Sequence, residues 1–271
     1  MRFVSYKAGE GPRAGALAGD LVVDLGPSLH EMLTLGTLPQ DIGGLDAEAG
    51  RSLAGVELLP PLPAPDKIVC LGLNYRAHAA EAGLEPPESP TFFAKFRNAL
   101  VGHGATVELP AASDKVDYEA EVAFVIGRRA KEVSEADALD HVAGYMLLND
   151  LSARDLQFAT PQWIPGKVFD GSAPCGPYLL TADEVEHDAI EFSLTLNGEE
   201  MQSARTDDLV FAIPEIVAHL SSLMTLEPGD VISTGTPSGV GSTRDPRVWL
   251  KPGDEIVVSS PQLGELATTI A

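Results

Sequence analysis

The chain has 271 residues, of which 44% are hydrophobic and 21% are charged, with a mean hydropathy of +0.05. This is the composition of a globular protein of one or two domains, and it excludes a disordered or fibrous chain. The 18 Lys and Arg residues against 40 Asp and Glu residues give a formal net charge of −22. A charge of this sign repels phosphate backbones and anionic membrane surfaces, so we expect no nucleic-acid partner and no membrane partner. A small anionic ligand needs local positive charge from a metal ion or from Lys and Arg side chains.

The N-terminus and the cysteines bear on where the protein works. Residues 1–10 include basic side chains but lack the apolar centre of a signal peptide, and no apolar run approaches the roughly 18 residues of a membrane span. We therefore expect a cytoplasmic protein. Cys70 and Cys175 are the two cysteines. Their spacing is not that of zinc ligands, which favours two packed free thiols over a disulfide or a zinc site.

The first 65 residues are predicted to form a small unit of their own. The runs MRFVSY and LVVDLG have the composition of short strands, and a helix is predicted near residues 28–35. The proline-rich run PPLPAP at residues 60–65 favours extended polyproline geometry and acts as a spacer. We predict a small N-terminal accessory domain over residues 1–65 that ends in this linker, and a second domain over residues 66–271.

The second domain is predicted to be mostly β with few helices, in the α+β class. Gly, Pro and Asp turns separate strand-like runs at residues 67–71, 119–126, 144–148, 192–196, 230–233 and 255–258. Helices are predicted at residues 77–82, 135–141 and 213–223, and for a turn or two after Asp150.

Two glutamates in the run DYEAEVAFVI carry the strongest chemical signal. A strand repeats every two residues, so Glu119 and Glu121 point to the same face, beside an apolar run. Neighbouring carboxylates in an apolar setting need water, a proton or a cation, and an edge strand with its acidic face in water is the alternative. Asp150 ends another apolar strand and supplies either a third carboxylate or an N-cap. Three carboxylates form an oxygen-only site suited to Mg²⁺ or Mn²⁺, with Ca²⁺ as a further option.

Two segments carry candidates for proton transfer and charge stabilisation. His78 and Glu81 are three residues apart on a predicted helix, so Glu81 can orient His78 as a general base, although such pairs are also common on ordinary helix surfaces. Lys167 lies between glycine and apolar residues and is either a group that stabilises an oxyanion or a solvated loop lysine.

Polar residues after Asp150 and a glycine-rich run complete the candidate site. If the segment after Asp150 is helical, Asp150, Arg154 and Gln157 lie along one face. The run TGTPSGVG at residues 234–241 follows a strand, and its glycines let backbone amides approach an anion. It lacks the lysine of a P-loop, which disfavours nucleotide binding.

Taken in order, the segments GLNYRAHAAEAG, PTFFAKFRNAL, VDYEAEVAFVIG, NDLSARDLQ, GKVFDGSAPCGP and STGTPSGVG resemble the fumarylacetoacetate hydrolase family. The resemblance extends from residue 67 to the C-terminus. It implies a rolled, mixed β-sheet, a small separate N-terminal domain and a homodimer. By position it implies metal ligands at Glu119, Glu121 and Asp150. It implies catalytic roles for His78, Glu81 and Lys167, and substrate contacts at Lys95, Arg154, Gln157 and Thr236.

The function predicted from these residues is cleavage of a carbon–carbon bond by water in an acylpyruvate or related β-diketo acid, a small anionic substrate. His78, oriented by Glu81, activates water, while the divalent metal and Lys167 stabilise the departing enolate. The nearest alternative is a decarboxylase of oxaloacetate-like acids, followed by hydroxydienedioate isomerases and lyases. Because a fold does not fix a function, a non-catalytic metal-binding or interaction protein is the alternative outside enzymes.

Overall fold

The architecture was analysed in a computed structural model that describes residues 1–9, 11–41, 43, 49–81, 83 and 85–271. The chain is mostly β with few helices, as predicted from the sequence. Across the described residues the α-helices are Leu29–Leu35 (α1), Arg76–Glu81 (α2), Arg154–Gln157 (α3) and Ile213–Leu223 (α4). None of the described helices is both long and apolar enough to cross a bilayer.

The strands account for most of the regular structure in the described part of the chain. In chain order they are Arg2–Ala8 (β1), Gly11–Ala18 (β2), Leu21–Gly26 (β3), Arg51–Ser52 (β4), Leu58–Leu59 (β5), Ile68–Gly72 (β6), Thr91–Lys95 (β7), Leu100–Val101 (β8), Ala105–Val107 (β9), Val116–Asp117 (β10), Ala120–Ile126 (β11), Val142–Asn149 (β12), Ser152–Ala153 (β13), Ala173–Thr181 (β14), Glu191–Leu196 (β15), Glu199–Arg205 (β16), Val231–Ser233 (β17), Glu255–Ser260 (β18) and Gly264–Ile270 (β19).

These strands form one large mixed sheet and two smaller ones. The large sheet has the order β4-β3-β2-β1-β14-β12-β11-β17-β6-β7, with β5 beside β1 and β8 beside β14. A second sheet has the order β16-β15-β18-β19-β9, and β10 pairs with β13 alone. Most neighbours are antiparallel, but β17 and β6 are parallel, as are β8 with β14 and β9 with β19. The mixed sheet implied by the family resemblance is therefore present.

Strand β11 lies at the centre of the large sheet and is buried along its whole length. Its sequence AEVAFVI is apolar on both faces except for Glu121, which is typical of a strand covered on both sides. It pairs antiparallel with β12, where Ala120 lies opposite Asn149, and with β17, where Ala123 lies opposite Ser233. The polar residues at the ends of these three strands are consequently brought to the same edge.

Most predicted elements are found close to their predicted positions. Helix α4 has the predicted bounds, and α1 begins after Ser28, whose hydroxyl accepts a hydrogen bond from the amide of Glu31 at 3.2 Å. The predicted end of the helix at residue 82 lies outside the described residues. The helix predicted over residues 135–141 is wrong, because a 3₁₀ turn at Ala138–His141 takes its place. The carbonyl of His141 already accepts from Gly127 at 2.7 Å, so the chain joins the sheet before an α-helix can develop.

The first 65 residues share the large sheet with the rest of the chain. Strand β1 pairs antiparallel with β14, with Phe3 opposite Leu179, and the hydroxyl of Ser5 donates to the carbonyl of Pro61 at 2.7 Å. Pro61 and Leu62 are buried within the proline-rich run. The division into an accessory domain over residues 1–65 and a second domain over residues 66–271 stays a prediction.

Asp230 lies immediately before β17 and joins the start of this strand to the start of its parallel neighbour β6. Its side chain is 1% exposed and accepts from Lys67 Nζ at 2.8 Å, from the amide of Lys67 at 3.1 Å and from the amide of Glu227 at 2.8 Å. Removal of this carboxylate leaves the two backbone amides and the lysine without their acceptor.

We expect Asp230→Ala to lower the free energy of unfolding by about 2–3 kcal/mol, because hydrogen bonds to a charged group are lost at a buried position. Urea denaturation measures the change. Asp66→Ala is the matched control, since Asp66 is exposed and next to Lys67 in the chain. Equal stability of the two variants would show that Asp230 does not hold these strands together.

Candidate active site

Three buried carboxylates meet at one edge of the central strands. Glu119 precedes β11, Glu121 lies within it, and Asp150 follows β12. Each side chain offers one carboxylate oxygen, and these oxygens all lie within 4.8 Å of one another. The antiparallel pairing of β11 and β12 explains the arrangement, because the amide of Asp150 donates to the carbonyl of Glu119 at 2.9 Å. The structure thus brings together the three residues that the sequence groups as metal ligands.

Three cations neutralise two of the carboxylates. Lys167 Nζ donates to Glu119 Oε2 at 2.6 Å and to Asp150 Oδ2 at 2.8 Å, while Lys95 Nζ donates to Asp150 Oδ1 at 2.6 Å. Arg154 Nη1 lies 2.6 Å from Glu119 Oε1. These ion pairs occur at buried positions, where they stabilise the site only because every charge has a close partner.

Glu121 has a different environment. It accepts hydrogen bonds from the hydroxyl of Ser233 and from the amide of Gly235, the second at 3.2 Å. Among the described residues no Lys or Arg forms an ion pair with it. Burial raises the pKa of Glu121 well above its usual range, and the charges of Asp150 and Glu119 raise it further. Burial also acts on Glu119, but Arg154 and Lys167 outweigh it and lower the pKa of that carboxyl to about 2.

Asp117 is a fourth buried carboxylate, which the sequence analysis did not select. Arg154 Nε donates to Asp117 Oδ2 at 2.9 Å, and the amides of Gly241 and Ser242 donate to its two oxygens at 2.7 and 3.0 Å. The residue thereby joins Arg154 to the glycine-rich loop. The signal was in the sequence, since residue 117 continues the period of two set by residues 119 and 121.

The structure also corrects the expected helical face after Asp150. Helix α3 begins only at Arg154, so Asp150 is not part of it. Arg154 and Gln157 still meet, because Arg154 Nη1 donates to Gln157 Oε1 at 2.9 Å. Arg154 reaches the carboxylates through its long side chain instead.

Lys167 follows a 3₁₀ turn at Ile164–Gly166 that packs against α3. A side chain on Gly166 would place its Cβ 2.4 Å from the carbonyl oxygen of Ala153 and 2.5 Å from the amide nitrogen of Gln157. Glycine is therefore required before Lys167. It allows the 3₁₀ turn to lie against the backbone of Ala153 and Gln157, and from this position Lys167 Nζ contacts Glu119 and Asp150. The Nζ atom also lies 4.8 Å from the centre of the Phe93 ring.

The predicted proton-transfer pair is formed on helix α2. His78 Nδ1 lies 3.3 Å from Glu81 Oε2, and the other oxygen, Glu81 Oε1, accepts from the amide of Gly239 at 3.0 Å. His78 faces the cavity that also contains Glu119 and Glu121.

The cavity has a volume of about 480 Å³ and is lined by a charged wall, an aromatic wall and an exposed rim. The charged wall is formed by Glu119, Glu121, Arg154 and Lys167. The aromatic wall is formed by Phe93, Phe158, Trp163 and Trp249. Lys115 and Arg247 lie at the exposed rim. The aromatic and rim residues were not selected from the sequence, because no local pattern distinguishes them from ordinary core or surface residues.

The predicted substrate contacts divide into two groups. Arg154, Gln157 and Thr236 line the cavity. Lys95 does not line it, because its side chain lies fully buried behind Asp150. That lysine neutralises a carboxylate, and its contact with substrate stays a prediction.

The rim is assembled by backbone hydrogen bonds between segments that are distant in the chain. The carbonyl of Lys115 accepts from the amide of Arg154 at 3.0 Å, and the amide of Val248 donates to the carbonyl of Gly241 at 3.0 Å. In the described part of the chain neither Lys115 nor Arg247 forms an ion pair. Two unpaired cations therefore lie at the mouth of a cavity in a chain of net charge −22.

The donor set fits a hard divalent cation. The buried cluster contains the carboxyl groups of Asp117, Glu119, Glu121 and Asp150 against three cations, so full ionisation of the cluster would leave one negative charge in excess. This excess would lie at Glu121, whose partners are neutral. Carboxylate oxygens that converge within a buried site are the ligands that Mg²⁺ and Mn²⁺ prefer.

Comparison with known proteins gives the family. The model of the fumarylacetoacetate (FAA) hydrolase C-terminal domain matches residues 67–271. Human mitochondrial oxaloacetate tautomerase FAHD2A is 38% identical over 100% of this chain and 91% of its own length. Among solved structures, fumarylacetoacetate hydrolase from Exiguobacterium antarcticum has a TM-score of 0.89 and 33% identity, covering 100% of this chain and 99% of that one. The 2-hydroxyhepta-2,4-diene-1,7-dioate isomerase from Mycobacterium marinum has a TM-score of 0.82 and 32% identity, covering 100% and 98%. These matches confirm the fold predicted from the sequence, and the chain belongs to the fumarylacetoacetate hydrolase family.

Proposed function

We propose that the chain is a divalent-metal-dependent enzyme that moves a proton at the carbon next to the keto group of a dicarboxylic 2-keto acid, with oxaloacetate as the model substrate. The observation that carries the proposal is the position of His78, which lines the same cavity as Glu119 and Glu121, two members of the carboxylate triad, and has Glu81 next to its Nδ1 atom. The human relative is named as an oxaloacetate tautomerase, which supports the choice of substrate.

We propose that Glu119, Glu121 and Asp150 hold the metal, and that it is Mg²⁺, with Mn²⁺ or Ca²⁺ as substitutes. When bound, a divalent cation polarises the keto oxygen of the substrate and stabilises the negative charge that develops there. Arg154 and Lys167 keep Glu119 ionised, and Lys95 and Lys167 form ion pairs with Asp150. Glu121 lacks such a pair, so the cation supplies its missing countercharge.

His78 performs the proton transfer. Glu81 accepts from the Nδ1–H of His78, which leaves Nε2 unprotonated and able to act as a base. In the keto-to-enol direction, Nε2 removes a proton from carbon-3, the C–H electron pair becomes the double bond between carbon-2 and carbon-3, and the carbonyl π pair moves to the keto oxygen. That oxygen takes up the proton from the imidazolium, which returns His78 to its neutral form. The reverse direction returns a proton to carbon-3.

Arg154 holds the substrate carboxylate next to the keto group. Arg154 lines the cavity, and its guanidinium lies 2.8 Å from Asp117 Oδ2 through Nη2 and 2.6 Å from Glu119 Oε1 through Nη1. The guanidinium adds positive charge to the wall that an anionic ligand contacts.

The rim favours a substrate with a second carboxylate. Lys115 and Arg247 are exposed residues that line the cavity, and they supply positive charge at its mouth. A dicarboxylate places its distal carboxylate near these cations, whereas an acylpyruvate with an apolar acyl group leaves them without a partner. This feature favours oxaloacetate-type and dienedioate-type substrates over simple acylpyruvates.

Cleavage of an acylpyruvate by water is the second candidate, and decarboxylation of oxaloacetate is a variant on the same site. The aromatic wall favours this candidate, since Phe93 and Trp163 pack edge to face with ring centres 5.9 Å apart and offer an apolar surface to an acyl group. His78 can remove a proton from water as well as from carbon. The structural neighbour from Exiguobacterium antarcticum is also named as a hydrolase. The cytoplasmic location and the homodimer stay predictions, and the human relative is named as mitochondrial.

We expect Glu121→Gln to abolish metal binding without destabilising the metal-free protein. Burial and the charges of Asp150 and Glu119 raise the pKa of Glu121 and so oppose its ionisation without a metal, and the neutral amide of glutamine keeps an oxygen that can accept from Ser233 and Gly235. Mn²⁺ at a hundred times its dissociation constant should stabilise the native protein by about 2.7 kcal/mol and the variant by close to zero. Thermal denaturation with and without Mn²⁺ measures both effects. Glu199→Gln, at an exposed position, is the control. Equal stabilisation of both variants by Mn²⁺ would place the metal elsewhere.

We expect His78→Ala to lower kcat/KM for keto–enol conversion of oxaloacetate at least about 100-fold, because general-base catalysis is lost. The conversion is followed by ultraviolet absorbance with Mg²⁺ and again with a chelator, and Mn²⁺ should still stabilise the variant. His219→Ala, on helix α4, is the control. In the same assay, release of pyruvate and acetate from acetylpyruvate without enol conversion of oxaloacetate would replace the first candidate by the second.

We expect Lys115→Ala and Arg247→Ala each to raise KM for oxaloacetate by about fivefold, corresponding to the loss of a partly exposed charge pair. The KM for a monocarboxylic acylpyruvate should change little, because it has no charge at the rim. Steady-state kinetics with both substrates at two salt concentrations measure the difference. An equal rise of KM for both substrates would contradict recognition of a distal carboxylate.

A further inference from the structure

Glu81 makes a second contact that the proton-transfer role does not require. One of its oxygens lies next to His78 Nδ1, and this contact alone orients the imidazole. The other oxygen accepts from the amide of Gly239 at 3.0 Å. Helix α2, here called the lid helix, is thereby attached to the loop of residues 234–241, which approaches it from the opposite end of the chain.

Gly239 is held in place from its far side. Its φ angle is +100°, and a Cβ atom at this position would lie 2.1 Å from the carbonyl oxygen of Met201. Only glycine fits, and a glycine has no side chain of its own to fix its orientation. Its carbonyl instead accepts from Tyr118 Oη and from Arg244 Nε, each at 3.2 Å. Arg244 Nη2 also donates to the carbonyl of Met201 at 2.7 Å.

The same loop is bonded to both neighbours of the metal-ligand candidate Glu119. Tyr118, which precedes it, holds Gly239 as described. Ala120, which follows it, donates its amide to Gln202 Oε1 at 2.9 Å, and Gln202 Nε2 donates to the carbonyl of Pro237 at 3.0 Å. Hydrogen bonds therefore connect the lid helix through Gly239 to the segment that contains Glu119.

We propose that the amide of Gly239 is a latch for the lid helix, and that Arg244 and Tyr118 are positioning residues that aim this latch at Glu81. With the latch engaged, Glu81 is fixed and His78 faces the carboxylate triad. Without it, the lid helix separates from the loop and His78 leaves the cavity. The inference rests on the proposed function in assigning the base to His78, but the latch itself is independent of which reaction the site catalyses.

Hydrogen exchange of the lid helix, measured by mass spectrometry on the free full-length protein, tests the latch without any substrate. Arg244→Ala removes the hydrogen bonds to the carbonyls of Gly239 and Met201, so the Gly239 amide is no longer aimed at Glu81. Loss of this one contact to the lid helix, on the order of 1 kcal/mol, should make exchange in residues 76–81 about tenfold faster. Tyr118→Phe removes a single hydroxyl and should show a smaller increase in the same direction. Arg205→Ala, an exposed arginine paired only with Asp207 at 3.6 Å, should match the native protein.

Kinetics distinguish positioning from a general loss of structure. Arg244→Ala should lower kcat by about tenfold through lid opening, with KM and Mn²⁺ affinity within about twofold of the native values. Arg244→Lys, which retains one donor, should recover part of the loss. In a Glu81→Ala background the Arg244 substitution should have no further effect on kcat, because the latch has lost its acceptor.

Two results would overturn the latch. The first is lid exchange in Arg244→Ala equal to that in Arg205→Ala. The second is a double variant whose fold-loss in kcat equals the product of the fold-losses in Glu81→Ala and Arg244→Ala. That result would show that the two side chains act independently. If Arg244→Ala does not fold, Tyr118→Phe provides the test. Hydrogen exchange of its lid helix at the native rate would then overturn the latch. If lid exchange is faster in Arg244→Ala but the native protein does not convert oxaloacetate, the latch is supported and only the proposed function is rejected.

Discussion

The burial of four carboxylates beside one central strand is the constraint on which the rest of the structure depends. Asp117, Glu119, Glu121 and Asp150 come from two short stretches, and isolated charges in such a position would be strongly destabilising. Their countercharges come from three other places in the chain: Lys95 at the end of β7, Arg154 at the start of α3 and Lys167 after a 3₁₀ turn. The fold must bring all of these segments together before the carboxylates can be buried, so the site and the fold are formed by the same contacts.

This constraint also places positive side chains around the cavity, whereas the molecule as a whole is negatively charged. The chain carries a net charge of −22, yet its cavity contains Arg154 and Lys167 on one wall and Lys115 and Arg247 at the rim. A divalent cation in the triad would make the cavity more positive still. An anionic keto acid is then repelled by most of the surface and attracted at one point, which favours capture in a productive orientation.

The sequence predicts the parts of the site that depend on local periodicity. A strand period of two places Glu119 and Glu121 together, and it would also have found Asp117. A helical spacing of three pairs His78 with Glu81. Contacts between distant segments have no such signal: Lys95 is a candidate substrate contact by family resemblance, but only the tertiary structure shows it behind Asp150. The helix predicted at residues 135–141 fails for a similar reason, because the backbone of His141 is already paired with the end of β11.

The same residues can support proton transfer, decarboxylation or cleavage by water, so the choice between them depends on what reaches His78. A base held by Glu81 takes a proton from whichever group lies nearest to Nε2. A short dicarboxylate held at one end by Arg154 and at the other by the rim cations places its carbon-3 there, and the aromatic wall limits the room left for water. A bulkier acyl group would reach along the aromatic wall and leave its distal carbonyl, with an attacking water, near the imidazole. Under the proposed function, substrate length and closure of the lid helix would select the reaction, while the proposed metal ligands and base would remain the same.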